Sequence, residues 1–215
     1  MTVLRPDDMS AKQLDALFRQ AIGPRPLAIV STTGRFGITH LYVTEWYSSA
    51  CSYPPTQYFS IDPEAEEWRG GELLDHLRAN RDFVLNGVDE ALAPALAIIE
   101  GPRDPDSSAL QRARLTAIPS TQVGSPRVKE SPTQLECRVL DIFSVGNRYV
   151  VIGAVVAFHV REDLFDEHGG KIEQTAYRAV GRIGLDEHIR CSELYLMSPS
   201  LPITADGMPL SGATT

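Results

Sequence analysis

Residues 133–160 read TQLECRVLDIFSVGNRYVVIGAVVAFHV, and they carry the strongest β-strand pattern in the chain. Two runs rich in Val, Ile and Phe flank Gly146-Asn147, which is typical of a β-hairpin turn. In the second run both alternating sets of residues are apolar. This indicates a strand buried on both faces, as in the core of a barrel or at a subunit interface. Gly153 in its centre predicts a bulge or a tight bend, as expected where a sheet curls closed.

Shorter patterns precede this hairpin. A second hairpin is predicted by LAIVSTT (27–33) and ITHLYVTEW (38–46), and TQYFSID (56–62) predicts one more strand. Ser10 and Gln13 have the spacing of a capping box at the start of a helix. Helical patterns of apolar residues lie at 10–21, 71–81 and 89–100. The sequence therefore predicts a mainly β protein, a β-barrel with peripheral helices.

Composition limits the class of protein. The 215 residues are 43% hydrophobic, which suits one globular domain, expected over residues 1–196, with 197–215 as a flexible tail or dimer arm. The net charge of −8 argues against a nucleic-acid partner, because such partners require a basic surface. No apolar run is long enough to span a membrane, so no membrane partner is expected.

The cysteines and the N-terminus indicate the compartment. Three widely spaced cysteines, Cys51, Cys137 and Cys191, are typical of reduced thiols and not of a disulfide framework. The start, MTVLRPDDMS, lacks the basic and apolar regions of a secretory signal. We expect a cytoplasmic protein.

Motifs for common chemistries do not occur. The chain has no GxSxG nucleophile motif, no P-loop, and no GxGxxG that follows a strand and opens a helix. None of the five histidines has the HExxH spacing of a metal site, so no metal is expected.

One segment is rich in ligand-binding residue types. Residues 43–55 read VTEWYSSACSYPP and place aromatic rings, hydroxyl groups and one acid in a predicted loop. A flat conjugated ring is bound by aromatic walls and a few hydroxyl or backbone groups, so this loop has the composition of a ligand site. A packed structural loop has the same composition, and the residues alone leave both interpretations open.

The order of several segments resembles the flavin reductase-like, FMN-binding split-barrel family. The resemblance covers about residues 24–185 and rests on RPLAIVSTTGRFGITHLYVTEWYSSACSYPP (25–55), FSID (59–62), LLDHLRANRDFVLNGVDEALA (73–93), SPRVKESPTQLECRVLDIF (125–143), VVIGAVVAFHV (150–160) and YRAVGRIG (177–184). It implies a split β-barrel, a homodimer and FMN bound near the subunit interface. It also implies electron transfer from NAD(P)H through the flavin to an acceptor.

The resemblance implies how the flavin ring would be held. Trp46, Tyr47 and Ser48 would frame the ring, and Thr32 and Ser52 would supply hydroxyl groups. The family pattern Asn-x-Ala-Pro-x-Ser-x-x-Asn before Pro-Pro departs here, because Glu45 falls at the Ser and Ser48 at the second Asn. A carboxylate at Glu45 would bring negative charge toward a flavin that is anionic when reduced.

A second departure concerns the FMN phosphate. Where the family has Lys-Asp-Thr at a helix start, this chain has Gly71, Glu72 and Leu73. Arg69 and the backbone of Gly71 at the helix N-terminus would then bind the phosphate. Glu72 would oppose it, unless Glu72 is simply a favourable first-turn acid.

Two arginines of the YRAVGRIG segment have two interpretations. Arg178 and Arg182 would either reach a phosphate or a nicotinamide nucleotide, or form ordinary surface ion pairs.

The sequence thus predicts an FMN-binding oxidoreductase with a transient NAD(P)H donor. The alternative is a split-barrel dimer that has lost FMN and is non-catalytic or binds another small molecule. A purely structural dimer is a third hypothesis, supported only by the apolar strand and the tail. Glu45 and the Gly71-Glu72-Leu73 segment are the features that separate the first two.

Overall fold

A computed structural model describes residues 1–64, 70–102, 108–166 and 170–191 of the chain. Within these ranges the helices are α1 (Ala11–Ala21), α2 (Gly70–Asn80), α3 (Ala93–Glu100), α4 (Ala109–Arg112) and α5 (Gln174–Tyr177). The strands are β1 (Arg25–Pro26), β2 (Ala28–Thr33), β3 (Thr39–Thr44), β4 (Tyr47–Ser52), β5 (Pro55–Ile61), β6 (Asp82–Gly87), β7 (Ala117–Ile118), β8 (Arg127–Val128), β9 (Thr133–Val145), β10 (Arg148–Val160), β11 (Val180–Ile183) and β12 (Glu187–Arg190).

The β9–β10 hairpin lies inside a seven-stranded antiparallel sheet of order β3-β2-β6-β9-β10-β5-β4. The predicted hairpin around Gly146-Asn147 is confirmed, as is the β2–β3 hairpin. Two small sheets, β1-β11-β12 and β7-β8, stand beside the main sheet. No helix in the described ranges is long and apolar enough to cross a membrane.

Strand β10 is buried on one face only within a single chain. Val151 and Val155 are core residues, whereas Val156 is 37% exposed and Phe158 is 60% exposed. The predicted burial of both faces is therefore wrong along this part of the strand, because no other residue that the structure describes covers Val156 and Phe158. The predicted irregularity at Gly153 is confirmed, because the β9–β10 register shifts between Ile152 and Gly153.

Gly153 also permits a close approach of neighbouring groups. A Cβ atom at this position would lie 2.6 Å from the Phe83 ring, so a larger residue would displace that ring from the core. Phe83 in turn packs edge-to-face on Phe59, with ring centroids 5.1 Å apart. Because Gly153 has no side chain, the Phe83 ring can pack directly against the backbone of the hairpin.

The helices begin close to the predicted residues. The capping box of α1 is present, with the Ser10 side chain accepting from the Gln13 amide. The third helix begins at Ala93 and not at Asp89, because the Asp89 carboxylate accepts from the Leu92 N–H and closes a separate turn before the helix. Pro94 then falls in the first turn, where a missing N–H costs no hydrogen bond.

Strands β2 and β3 are covered on both sides, which fixes the setting of the candidate site. Ile29 and Leu41 pack in one apolar cluster with Leu96 of α3. The alternate residues Val30 and Tyr42 belong to a second cluster with core residues of α2, β5, β6, β9 and β10. Because successive side chains of a strand point to opposite faces, this hairpin separates two cores.

The segment predicted as a loop at residues 43–55 is largely a strand. Tyr47–Ser52 forms β4 at the edge of the main sheet and pairs with β5, with Ser48 opposite Tyr58. The prediction of a loop is wrong because small polar residues have weak strand propensity, while pairing with the neighbouring β5 supplies the backbone hydrogen bonds. The predicted strand 56–62 is confirmed as most of β5.

Candidate functional site

Glu45 is a buried carboxylate surrounded by arginines. The residue follows β3 and is 4% exposed. Its carboxylate contacts the Arg19 guanidinium, and its Oε2 lies 3.3 Å from Arg25 Nε and 3.5 Å from Arg182 Nη1. These partners come from α1, β1 and β11, so Glu45 ties the N-terminal helix and the small sheet to the main sheet. We call these four residues the arginine cluster.

The charges of the arginine cluster are balanced by two further acids. Arg19 Nε lies 2.7 Å from Asp15, and Arg182 Nη2 lies 2.8 and 3.0 Å from the two Glu100 oxygens. Burial alone would lower the pKa of Arg182, but Glu100 and Glu45 raise it above its ordinary value. Burial of so much charge requires such pairing. The protein itself therefore compensates the negative charge of Glu45.

Trp46 and Tyr47 are held by contacts to the same region. The Arg25 guanidinium carbon lies 5.4 Å from the Trp46 ring centroid, a cation–π contact. The Tyr47 hydroxyl donates to the Leu27 carbonyl at 3.4 Å, and burial raises the pKa of this phenol. Ser48 and Ser52 are exposed on β4. The predicted ring-framing residues therefore lie along one edge of the sheet.

Thr32 lies in a different group of polar side chains. His40 on β3 faces Glu72 on α2, with His40 Nδ1 3.3 Å from Glu72 Oε1. His76, one turn further along α2, has its ring centroid 4.4 Å from that of His40, and its Nδ1 lies 3.4 Å from Thr32 Oγ1. We call His40, Glu72 and His76 the histidine cluster. A small pocket beside it is lined by Thr32, His40, Leu41, Tyr42, Glu72 and Leu73.

The two arginines of YRAVGRIG are not brought together. Arg182 is buried in the arginine cluster, whereas the Arg178 side chain is 66% exposed and forms an ion pair with Glu90. Glu90 also lies 2.5 Å from Arg190 Nε. Arg178 therefore borders an open cleft that is lined by Glu90, Thr175, Arg178, Ala179, Arg190 and Cys191.

The structure describes only some of the residues that are predicted to bind the FMN phosphate. Gly71 is the second residue of α2, and a Cβ there would lie 3.4 Å from the Pro63 carbonyl, in ordinary contact. Glu72 occupies the first turn of α2. Arg69 and the predicted tail, 197–215, lie outside the described residues.

Sequence reasoning missed several residues of both clusters. Arg19 and Arg25 carry no signal of burial, since arginine is usually exposed. Glu72 and His76 do have the i, i+4 spacing of neighbours on one helix face. That spacing could have drawn attention to His76, but the contribution of His40 depends on the packing of α2 against β3.

Comparison with known proteins identifies the class. Residues 21–177 match the family model described as the flavin reductase like domain. The chain belongs to this family, as its resemblance predicts. The mainly β split barrel with peripheral helices predicted from the sequence is likewise confirmed.

Individual relatives extend over nearly the whole chain. Protein BH2278 of Halalkalibacterium halodurans is 30% identical over 201 residues, covering 89% of this chain and 93% of its own length. The fold is shared with nitrilotriacetate monooxygenase component B from Bacillus cereus (TM-score 0.84, 24% identity, 92% of this chain and 98% of that one). It is also shared with Pseudomonas fluorescens 2-nitrobenzoate 2-nitroreductase (TM-score 0.82, 23% identity, 95% and 100%).

Proposed function

We propose that the protein binds FMN and acts as an oxidoreductase of the flavin reductase class, with NAD(P)H as the electron donor and an acceptor still to be identified. Membership of the flavin reductase-like family supports a flavin and a redox role. The observation that carries the proposal is the environment of Glu45, the residue that most opposes a flavin in the sequence.

A carboxylate close to a flavin disfavours the anionic reduced ring unless its charge is compensated. Glu45 is 4% exposed and is surrounded by Arg19, Arg25 and Arg182. Its charge is therefore screened by groups of the chain itself. The residues present at the ring end of the proposed site thus fit a flavin, which removes the main objection raised by the sequence.

The proposed roles of the remaining residues follow from their placement. Trp46 would form an aromatic wall, held from behind by Arg25, and Tyr47 would support it. Ser48 and Ser52 on the exposed edge strand would offer hydroxyl groups. Thr32 is fully buried beside His76, so we assign its hydroxyl to that histidine and not to the flavin. Arg69 and the Gly71 backbone at the start of α2 would hold the phosphate.

The flavin and the protein chain would have separate roles. When bound, FMN supplies a centre that accepts a hydride from a nicotinamide and passes electrons on. The chain would hold and orient the ring and restrict its contact with water. Arg178, on the rim of the cleft next to Glu90, is our candidate for contacting the nicotinamide nucleotide. Because Arg182 is buried between Glu45 and Glu100, we assign it to the arginine cluster and not to a ligand.

We further propose that the active form is a homodimer. Strands β9 and β10 leave an apolar surface in solvent, with Leu140 53%, Phe143 41% and Phe158 60% exposed. Single exposed apolar residues are ordinary, but three large ones on one hairpin favour an interaction with a partner. Phe158→Glu is expected to shift the mass measured by multi-angle light scattering from two chains to one. Phe36→Glu, at a 98% exposed turn residue, is the control that should leave the mass unchanged.

The cysteines support the expected cytoplasmic location. Cys51, Cys137 and Cys191 are free thiols, as in proteins of reducing compartments. Burial raises the pKa of Cys137 to about 12, so this thiol stays protonated and unreactive.

Titration of the purified protein with FMN tests the proposal. Saturable quenching of flavin fluorescence, shifted flavin absorption bands and an increase in thermal stability are expected, and Trp46→Ala should weaken binding. If saturating FMN changes none of these, the chain has kept the fold and lost the cofactor, which is the alternative.

Riboflavin, which lacks the phosphate, tests the phosphate end. Arg69→Ala is expected to weaken FMN by roughly 10- to 150-fold, the loss of one charge-assisted hydrogen bond, while riboflavin affinity stays nearly constant. Arg5→Ala, a change at an exposed arginine near the N-terminus, is the matched control. Equal losses for the two flavins in Arg69→Ala would show that Arg69 does not contact the phosphate.

A further inference from the structure

The histidine cluster brings together three groups that are good metal ligands. His40 lies on β3, and Glu72 and His76 lie one turn apart on α2, so packing of the helix against the hairpin assembles the set. One potential ligand atom from each side chain lies within 4.8 Å of the other two. Sequence reasoning did not expect a metal here, because the two histidines are distant in the chain.

The donor set has a defined metal preference. Two imidazole nitrogens and one carboxylate oxygen suit borderline divalent ions such as Zn²⁺, and are poorly matched to Ca²⁺ or Mg²⁺. Ligands about 2.0–2.1 Å from zinc in a tetrahedral arrangement lie about 3.3 Å from each other. His40 Nδ1 and Glu72 Oε1 are 3.3 Å apart, which matches this separation.

Neighbouring residues leave space for the two imidazole rings and contact one of them. A Cβ on Gly34 would lie 2.5 Å from His40 Nε2 and 3.0 Å from His76 Cε1, so glycine at this position leaves the rings their space. Thr32 Oγ1 lies 3.4 Å from His76 Nδ1 and can orient that ring, as outer partners of metal-binding histidines do. The side chains of His40 and Glu72 are 18% and 30% exposed, which gives an ion access from solvent.

We infer that His40, Glu72 and His76 bind one divalent transition-metal ion of the Zn²⁺ type. Three protein ligands leave a fourth position, which would take water or an anionic oxygen. The ion would also neutralise the Glu72 charge. This site goes beyond the proposed flavin function and does not depend on it, because its test contains no flavin.

Metal titration of the full chain tests the inference. After treatment with a chelator and dialysis, Zn²⁺ is added in competition with a chromophoric chelator, and Co²⁺ binding is followed by its visible absorption. One ion per chain is expected, with Co²⁺ bands of the intensity typical of a four-coordinate site. His40→Ala, His76→Ala and the shape-preserving Glu72→Gln should each weaken Zn²⁺ binding by more than about tenfold.

His188→Ala is the matched control, because His188 is an exposed histidine on β12 outside the cluster. This variant should bind Zn²⁺ as the unmodified chain does, and circular dichroism should show all variants folded. The inference is overturned if the unmodified chain binds no ion, if binding survives both His40→Ala and His76→Ala, or if His188→Ala reduces it equally. The last two results would indicate adventitious surface binding, and the first would leave His40 and Glu72 as an ion pair only.

Discussion

Glu45 and Glu72 are two carboxylates in neighbouring parts of the fold with opposite environments. The Glu45 side chain is 3% exposed and lies against Arg19, Arg25 and Arg182, whereas the Glu72 side chain is 30% exposed and faces His40. The first charge is satisfied by the chain itself, and the second faces groups that can share a ligand. The surroundings of a carboxylate therefore decide its role. Glu45 is the residue that argues most strongly against a flavin in the sequence, and in the structure its role is to pair with buried arginines.

The largest expected effect is the loss of the buried carboxylate. Glu45→Ala leaves Arg25 and Arg182 buried without that acid and should lower the free energy of unfolding by about 3–5 kcal/mol. Glu72→Ala, at a partly exposed position, should cost no more than about 1 kcal/mol. Urea denaturation of both variants measures the contrast.

Glu45→Gln, which keeps the shape and removes the charge, covers the case in which Glu45→Ala does not fold. If Glu45→Gln and Glu72→Gln cost the same, the contrast between the two carboxylates is wrong. Among the residues that the structure describes, Glu45 Oε2 and Arg25 Nε have no hydrogen-bond partner beyond their ion pair. The free energy of unfolding lost in Glu45→Ala is therefore expected near the lower end of about 3–5 kcal/mol.

A third carboxylate extends the contrast to pH. Glu136 is fully buried, and its oxygens accept from the Thr121 and Gln122 N–H groups at 2.8 and 2.6 Å and lie 2.6 Å from His159 Nε2. Burial alone would raise the pKa of Glu136, but these hydrogen bonds lower it below its ordinary value.

Because the folded pKa is the lower one, Glu136 stabilises the protein above the unfolded pKa of about 4.3, and this stabilisation is lost as the pH falls through the folded pKa. We therefore expect Glu136→Gln to lower stability at pH 7 by about 1–3 kcal/mol. Thermal unfolding between pH 7 and pH 3 should show a smaller pH dependence for this variant. An unchanged pH dependence would show that Glu136 ionises alike in the folded and unfolded chain.

The smallest effect on stability is expected at Gly34. Gly34→Ala places a methyl group against His40 and His76 and should displace their rings, which reduces Zn²⁺ affinity by about tenfold or more. The free energy of unfolding should change by less than about 1 kcal/mol, because the methyl group meets the outer ends of two partly exposed side chains that can move aside. Gly170→Ala, which has open space around its position, is the control. Unchanged Zn²⁺ affinity in Gly34→Ala would mean that the rings do not need this space.

The fold was largely predictable, because it depends on patterns of neighbouring residues that can be recognised in the sequence. The β9–β10 hairpin, the Gly153 irregularity and the α1 capping box all arise from residues close together in the chain. Strand β4 was missed because its small polar residues acquire strand structure from pairing with β5.

The candidate site was predictable only in its residue types. The partners of Glu45 come from α1, β1 and β11, and His40 meets His76 through the packing of β3 and α2. Such contacts between distant segments have no local signature in one sequence. The resemblance located Glu45 in the segment expected to hold the flavin ring. That three arginines compensate the charge of Glu45 could be seen only in the structure.

The FMN affinity of Glu45→Ser tests most directly whether Glu45 is screened and does not oppose the flavin. This variant restores the residue type of the family pattern and should be measured at low temperature, where the destabilised chain stays folded, with Glu45→Gln as a second variant. We expect the FMN dissociation constants of the two variants to lie within about threefold of the unmodified chain, less than about 0.7 kcal/mol. Tenfold tighter FMN binding in both variants would contradict this screening and place the Glu45 charge against the flavin.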